Sequence, residues 1–442
     1  MRHILLALTA FTLAVPATAQ DAARMDTVIR ADADKGEFMG AVLVAQDGKV
    51  LFDKGYGAAN LEWKIPNDGD TKFRLGSVTK QFTAAAILLL RERGKLKLED
   101  PVKTWLPDAP AAWDRITIFN LLTHTSGIPN FTALPDYDQF KPLPATPAAL
   151  IARVRDKPLD FAAGEGWKYS NSGYVVLTAI LEKASGQSYA AFVADNIFKP
   201  LGMADSGYDT RAIVPHRASG YQPGPSGIVN ADPIDMTVPQ GAGGLYSTTH
   251  DLLKWQQGLF GGRLLKPESL KAMLTPFREN YGLGVGIFTA DGQTAITHSG
   301  GIDGFNSWAG YDPDRKLSVI VLANLAGGEA TRLGRAMLTL GRGGTIVLPG
   351  ERAAIALPAA TLAEYAGTYE VTPAFGFTIK AGDGKLIAQA TSQPPLDLFA
   401  ESPDHFFFKA VDAQIEFTRD AAGKVTGAVM RQNGRSQPAT KK

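Results

Sequence analysis

The chain has 442 residues, 45% of them hydrophobic, with 45 Lys and Arg against 44 Asp and Glu and a formal net charge of +1. That length suits a large core plus a further module. The near-neutral balance removes the electrostatic case for nucleic acid or an anionic membrane surface as partner. With no cysteine in the chain, disulfides, thiolate catalysis, cysteine-ligated metals and lipid attachment at a signal-peptide cysteine are all excluded.

The first element reads as a secretory signal. Arg2 gives a short positive start, residues 4–15 are an apolar stretch too short to span a bilayer comfortably, and Ala17-Thr18-Ala19 fits a small-residue cleavage site before Gln20. Residues 1–19 are therefore expected to be removed and the protein exported, to the periplasm or beyond the cell. No later run of about 18 apolar residues follows, so no stable membrane insertion is expected.

Past Met39 the pattern is strand, turn, strand: residues 40–46 are apolar, Asp47-Gly48 signals a hairpin, and residues 50–56 return. After a polar loop at 67–70, Ser77 opens a helical run with Phe82, Ala85, Ala86, Leu89 and Leu90 at helical spacing and Gly94 as its stop. Residues 100–260 are rich in helix signals and proline. Thr146-Pro147 starts one helix, residues 172–184 form another ending near Gly186, and Thr248 or Thr249 with Asp251 starts a third. Strand signals return at 294–298, 307–311 and 317–322, and residues 329–340 look helical.

Strands at both ends with helices between them predict an α+β fold: an antiparallel sheet flanked by helices, with a helical insert. It should occupy residues 20–345. Glycines and prolines make 346–360 a linker, and 361–442 reads as a small all-β barrel of short alternating runs, with turns at Asp383-Gly384 and Ala422-Gly423.

Three short patterns carry the chemistry, and each matches its template once in the chain: Ser77-Val78-Thr79-Lys80, Tyr169-Ser170-Asn171 and His298-Ser299-Gly300. A serine hydroxyl is a weak nucleophile until a neighbour takes its proton. Lys80, three residues on, can lie beside Ser77 on one helical face, and accepts a proton only if desolvation lowers its pKa. Tyr169 offers a phenol able to relay the proton if nearby cations favour its phenolate, and the Asn171 amide can hold a substrate carbonyl. His298-Ser299-Gly300 ends a strand and is followed by Gly301. A strand edge there can take an extended substrate, and the backbone N–H groups of Ser77 and Gly301 can polarise its carbonyl. Taken singly, each pattern has an ordinary structural reading: a helix cap, a loop before a helix, a hydrogen-bonded strand histidine.

Together and in this order they resemble the penicillin-recognising serine hydrolases, which include class C β-lactamases, D-alanyl-D-alanine carboxypeptidases, D-aminopeptidases and related esterases. Longer stretches carry the same resemblance: Phe73-Arg74-Leu75-Gly76-Ser77, Leu121-Leu122-Thr123-His124-Thr125-Ser126-Gly127, Tyr169-Ser170-Asn171-Ser172-Gly173-Tyr174 and Gly243-Gly244-Leu245-Tyr246-Ser247. It covers roughly residues 25–345. Leu362-Ala363-Glu364-Tyr365-Ala366-Gly367-Thr368-Tyr369 resembles the start of the lipocalin-like barrel appended to some members.

The resemblance implies Ser77 as acylated nucleophile, Lys80 and Tyr169 as the proton-moving pair, and His298 hydrogen-bonded to Tyr169 or to substrate. It implies Asn171, Ser299, Gly300 and Gly301 as substrate binders. One departure matters: many lactamases carry lysine where this chain has His298. A mostly neutral histidine attracts a substrate carboxylate less, favouring esters, amides or D-amino-acid peptides over penicillins. Neither His124 nor His250 has metal-ligand spacing, so no metal and no cofactor is expected. The rival readings are a true β-lactamase, a receptor acylated and never released, and a barrel that binds an apolar ligand or shapes the cleft. A small molecule or peptide is the expected partner, and the oligomeric state is left open.

Overall fold

A computed structural model describes residues 17–442 apart from 291, 328, 383, 433 and 434. The expected export segment lies outside the described residues except for residues 17–19, whose backbone begins a helix, α1 (Ala17–Ala33). Asp383 of the Asp383-Gly384 turn also lies outside. The chain divides into two units between Gly344 and Thr345. Residues 346–360, read as a linker, fall in the second unit, where the Ile355 N–H donates to the Ala400 carbonyl and Arg352 pairs with Glu401 at 2.8 Å.

In the first unit, β1 (Gly40–Gln46) and β2 (Lys49–Tyr56) form the expected hairpin. Asp47 and Gly48 both have positive φ, 48° and 81°, which two-residue hairpin turns require. The other strands come from far along the chain: β3 (Gly286–Ala290), β4 (Gln293–Ile302), β5 (Phe305–Asp312) and β6 (Leu317–Ala323). They make one six-stranded antiparallel sheet in the order β3-β4-β5-β6-β1-β2, with Leu43 opposite Ile320. Strand β3 was not anticipated: past Gly286 its residues are half-buried or exposed, too weak a pattern to mark a strand. By contrast β6 is buried along its whole length, and β1 up to Ala45. Ala41, Leu43 and Ala45 join the main core, while Val42 and Val44, pointing to the other face, are buried as well.

Helices cover this sheet. A helix at Thr249–Phe260 packs on β1 and β6, one at Glu329–Gly341 packs on β5 and β6, and α1 lies against β2. Thr248, the earlier of the two candidate caps, accepts from the Asp251 N–H. Two helices set up the site. α2 (Thr79–Glu92) is buried from Thr79 to Leu90, and from Phe82 to Leu90 every residue but Thr83 is apolar, as befits a buried helix. α3 (Asn171–Ser185) lies against it and ends on Gly186, whose φ of 72° suits the left-handed cap.

The second unit is a closed eight-stranded antiparallel barrel, its strands in sequence order from Gly367–Thr372 to Arg435–Lys441. It closes where Tyr369 faces Lys441 and Glu370 faces Thr440. Tyr365, Tyr369, Phe377, Phe406 and Phe417 are among the side chains that form its buried core, with Tyr369 stacked on Phe377 at 5.2 Å. Among the described residues, no helix is long and apolar enough to cross a membrane.

Leu43 is fully buried in a strand paired on both sides. Leu43→Ala is expected to cost the first unit about 2–5 kcal/mol through lost burial and a cavity. All six tryptophans (63, 105, 113, 167, 255 and 308) lie in that unit. Denaturant unfolding followed by tryptophan fluorescence therefore reads it directly, and an unmoved midpoint would contradict the expectation.

Candidate active site

Ser77 sits on a single 3-10 turn, Gly76–Val78, that leads into α2. Its hydroxyl does not cap the helix: neither the turn nor α2 has a side-chain cap. The preceding Gly76 has a φ of +50° and lies against β4, where a Cβ on Gly76 would come within 2.8 Å of the Gly301 nitrogen. The fit is reciprocal. A Cβ on Gly300 would lie 2.0 Å from the Leu75 carbonyl oxygen and 3.0 Å from the Ser77 nitrogen. Two backbones thus touch where only glycine fits, which brings the Ser77 and Gly301 amides close together. Ser307, on β5, ties down the same turn by donating to the Leu75 carbonyl at 2.6 Å.

Lys80 has no exposed surface. Its Nζ lies 3.1 Å from Ser77 Oγ, 2.7 Å from Asn171 Oδ1 and 2.8 Å from the Ala242 carbonyl, between the rings of Tyr169 (4.8 Å) and Tyr174 (5.2 Å). None of these partners is a carboxylate. Burial therefore holds the amine well below the ordinary lysine range. A neutral amine has two hydrogens and one lone pair. Asn171 Oδ1 and the Ala242 carbonyl can only accept, so they take both hydrogens, and the lone pair faces the Ser77 hydroxyl.

Tyr169 is hydrogen-bonded to Ser77, yet burial pushes its pKa up against that bond. The phenolate considered for it is disfavoured; at rest it is a phenol. His298 departs further from expectation. Its Nδ1 bonds the Ser299 carbonyl at 2.6 Å, which requires Nδ1–H, so Nε2 accepts from the Tyr281 hydroxyl at 2.8 Å. Both ring nitrogens are engaged, and the expected bond to Tyr169 is not made; the two rings are 6.4 Å apart. Burial, then the proximity of Lys80, pull its pKa down to about 3, so the ring is neutral.

Asn171 is the first residue of α3 rather than part of an extended loop, because its N–H donates to Asn130 Oδ1 at 3.1 Å. Its Oδ1 holds Lys80 and its Nδ2 donates to Thr132 Oγ1 at 3.2 Å, leaving one Nδ2 hydrogen for a substrate. On its outer side β4 pairs with β3 only as far as Thr297. Past that point Ser299 and Gly301 are exposed, and Gly300 is buried against the Ser77 turn.

Residues 25–342 match the Beta-lactamase family, and residues 351–441 match a domain of unknown function, DUF3471. The chain belongs to the Beta-lactamase family. Penicillin-binding protein 4* of Bacillus subtilis is 30% identical over 90% of this chain and 94% of its own length. The octameric penicillin-binding protein homologue from Pyrococcus abyssi superposes with a TM-score of 0.69 at 26% identity, over 95% of this chain and 99% of that one. A D-stereospecific amidohydrolase from Streptomyces sp. superposes with a TM-score of 0.64 at 27% identity, over 74% and 99%. The chain is thus one of the penicillin-recognising serine hydrolases, with the β-lactamase/transpeptidase-like fold and a C-terminal barrel.

Several residues of this Beta-lactamase site escaped the motif reading. Ala242 contributes only a backbone carbonyl, which leaves no trace in sequence. Asn130, Thr132 and Tyr281 lie outside the three motifs. His124 was read as part of a turn: it has a φ of 59°, is buried, and its Nδ1 accepts from the Ser170 N–H. Its ring also packs 4.3 Å from Tyr169 and 4.8 Å from Tyr281, so it walls the site. His250 is remote from it, held between Asp53 (2.6 Å) and Asp70 (3.0 Å).

Gly300→Ala forces backbone apart at the Ser77 turn. Labelling of Ser77 by a fluorophosphonate is expected to slow about a hundredfold, the cost of misplacing reacting groups by about an ångström. A wild-type labelling rate would show that the contact does not position Ser77.

Proposed function

We propose that the protein is an exported hydrolase that cleaves uncharged amides or esters, with D-amino-acid amides or peptides as the favoured class, through an acyl-enzyme on Ser77. The observation that carries this is the neutral, carboxylate-free Lys80 amine with its lone pair on the Ser77 hydroxyl. In acylation Ser77 Oγ attacks the substrate carbonyl carbon and its proton passes to Lys80. The Ser77 and Gly301 amides receive the oxyanion. As the intermediate collapses, the bond to the leaving amine or alcohol breaks, and the leaving group takes a proton from the Lys80–Tyr169 pair. Water then releases the acyl group by the same route in reverse. With both His298 nitrogens engaged, Lys80 and Tyr169 are the better candidates to deprotonate that water.

Substrate charge is read from His298. A neutral ring at that strand position supplies no cation for a carboxylate, which favours neutral substrates. The Streptomyces amidohydrolase supports the D-amino-acid class. The names of the penicillin-binding relatives favour a second reading, penicillin recognition.

Intact-protein mass with excess benzylpenicillin, beside hydrolysis of D- and L-amino-acid amides, separates the two. Turnover of D-amides without a lasting penicillin adduct supports the first reading. A Ser77-dependent adduct with no amide turnover supports the second. Ser77→Ala is expected to abolish every adduct, and labelling elsewhere would overturn the proposal. Lys80→Ala should slow acylation by about 10²–10⁴.

Lys80 works as the free amine, and its pKa lies well below the ordinary 10.5. Acylation is therefore expected to reach its plateau well below pH 10.5 and to fall on acidification as Lys80 binds a proton. A rate that climbs steadily through 10.5 would contradict the assignment. Export is checked by N-terminal sequencing of the mature protein, which is expected to begin at Gln20; an intact residue 1 would argue against cleavage.

A further inference from the structure

The cleft over Ser77 has two walls. One is the outer edge of β4 from His298 to Ile302, continued by the turn at Asp303 and Gly304 into β5. The other belongs to the helical insert. It runs from Asn130 and Thr132, which hold Asn171, through Phe131 and its ring contacts with Tyr137 (6.1 Å) and Phe140 (6.4 Å), to Lys141. The walls meet where Lys141 Nζ donates to Asp303 Oδ1 at 2.7 Å.

This is not an ordinary surface pair, which would be worth little. The side chains of Lys141 and Asp303 are only 9% and 17% exposed. Lys141 also pairs with Asp138 at 3.0 Å and Asp232 at 3.9 Å. Its backbone carbonyl is fixed by the Asp235 N–H at 2.9 Å. From Asp235 the chain runs to Gln240, whose side chain donates to the Ala145 carbonyl, and on to Ala242, which holds Lys80. The bridge and the Lys80 amine therefore share one frame.

The free edge of β4 is short. From His298 to Ile302 it spans about 13 Å at ~3.3 Å per residue. One end is stopped by the pairing of Thr297 with Gly286 and by Tyr281 on His298. The other end is stopped by Asp303 and Lys141, just past the Gly301 amide. A substrate whose carbonyl rests on the Ser77 and Gly301 amides has little room toward Asp303.

We propose that the Lys141–Asp303 bridge is a specificity-determining clasp that closes the Gly301 end of the cleft and limits the substrate there to a short group. This rests on the reading of Ser77 as nucleophile. The clasp makes the enzyme an exo-acting one, which removes or transfers a single small unit and does not cut within a long chain.

The test uses the full chain and two ester series, one with the acyl chain lengthened and one with the alcohol lengthened. kcat/KM is measured for the wild type, Asp303→Ala, Lys141→Ala, and the charge-keeping Asp303→Glu and Lys141→Arg. Asp303→Ala leaves Lys141 with Asp138 and Asp232 and so spares the fold more than Lys141→Ala does. In one series the wild type is expected to lose kcat/KM with length. The alanine variants should relieve that loss by about tenfold for the longest member, the scale on which a pocket discriminates by size. The charge-keeping variants should retain the wild-type profile. Ser77-dependent turnover with an unchanged length profile, or an equal loss on every ester, overturns the clasp alone. If no turnover depends on Ser77, the reading of Ser77 and the clasp both fall.

Discussion

The site depends on one constraint: a lysine amine is buried without a carboxylate. Taking an ammonium out of water is costly unless a countercharge repays it, so the group gives up its proton instead. Everything around Lys80 enforces this. The apolar run of α2 excludes water, Tyr169 and Tyr174 present rings, and Asn171 and Ala242 supply acceptors without charge. A single Asp or Glu in place of Asn171 would hold the ammonium and remove the lone pair that Ser77 needs.

Around that amine the other titratable groups are kept neutral for the same reason. Burial pulls His124 and His298 down, with Lys80 adding to this only where it carries a proton, and burial pushes Tyr169, Tyr174 and Tyr281 up. A neutral, aromatic-lined site keeps the local dielectric low, so in the proposed mechanism the backbone dipoles of Ser77 and Gly301 act with little competition. Charge returns at the rim, where Lys141 meets Asp303 between β4 and the insert.

Geometry comes from the sheet. β1 and β6 are buried nearly throughout and join residues from opposite ends of the first unit, which fixes β5 and β4 in turn. The Ser77 turn is then pressed against β4 at Gly76 and Gly300, where side chains would collide. The proposed nucleophile and carbonyl-binding amides are thus placed by the buried sheet. Of the groups proposed to move protons, Lys80 comes from α2 and Tyr169 from the loop that leads into α3.

Much of this was legible in the sequence because it is local. Periodicity marks α2, α3 and the helix at Glu329–Gly341, glycines mark their ends, and Asp47-Gly48 marks the first hairpin. Ser77 and Lys80 three residues apart on one helical turn already imply contact, and ordered motifs named the family. Strand β3, half exposed and short, carried too weak a pattern to be seen. Sequence alone picks out which residues can do acyl chemistry and, Asn171 apart, the elements that carry them. Their state follows from the fold: burial favours the neutral Lys80 amine and the Tyr169 phenol, and His298 spends both nitrogens on Ser299 and Tyr281. Protonation answers to burial and to neighbours far along the chain, and such neighbours as the Ala242 carbonyl are backbone groups that every residue has. No side-chain spelling can reveal them.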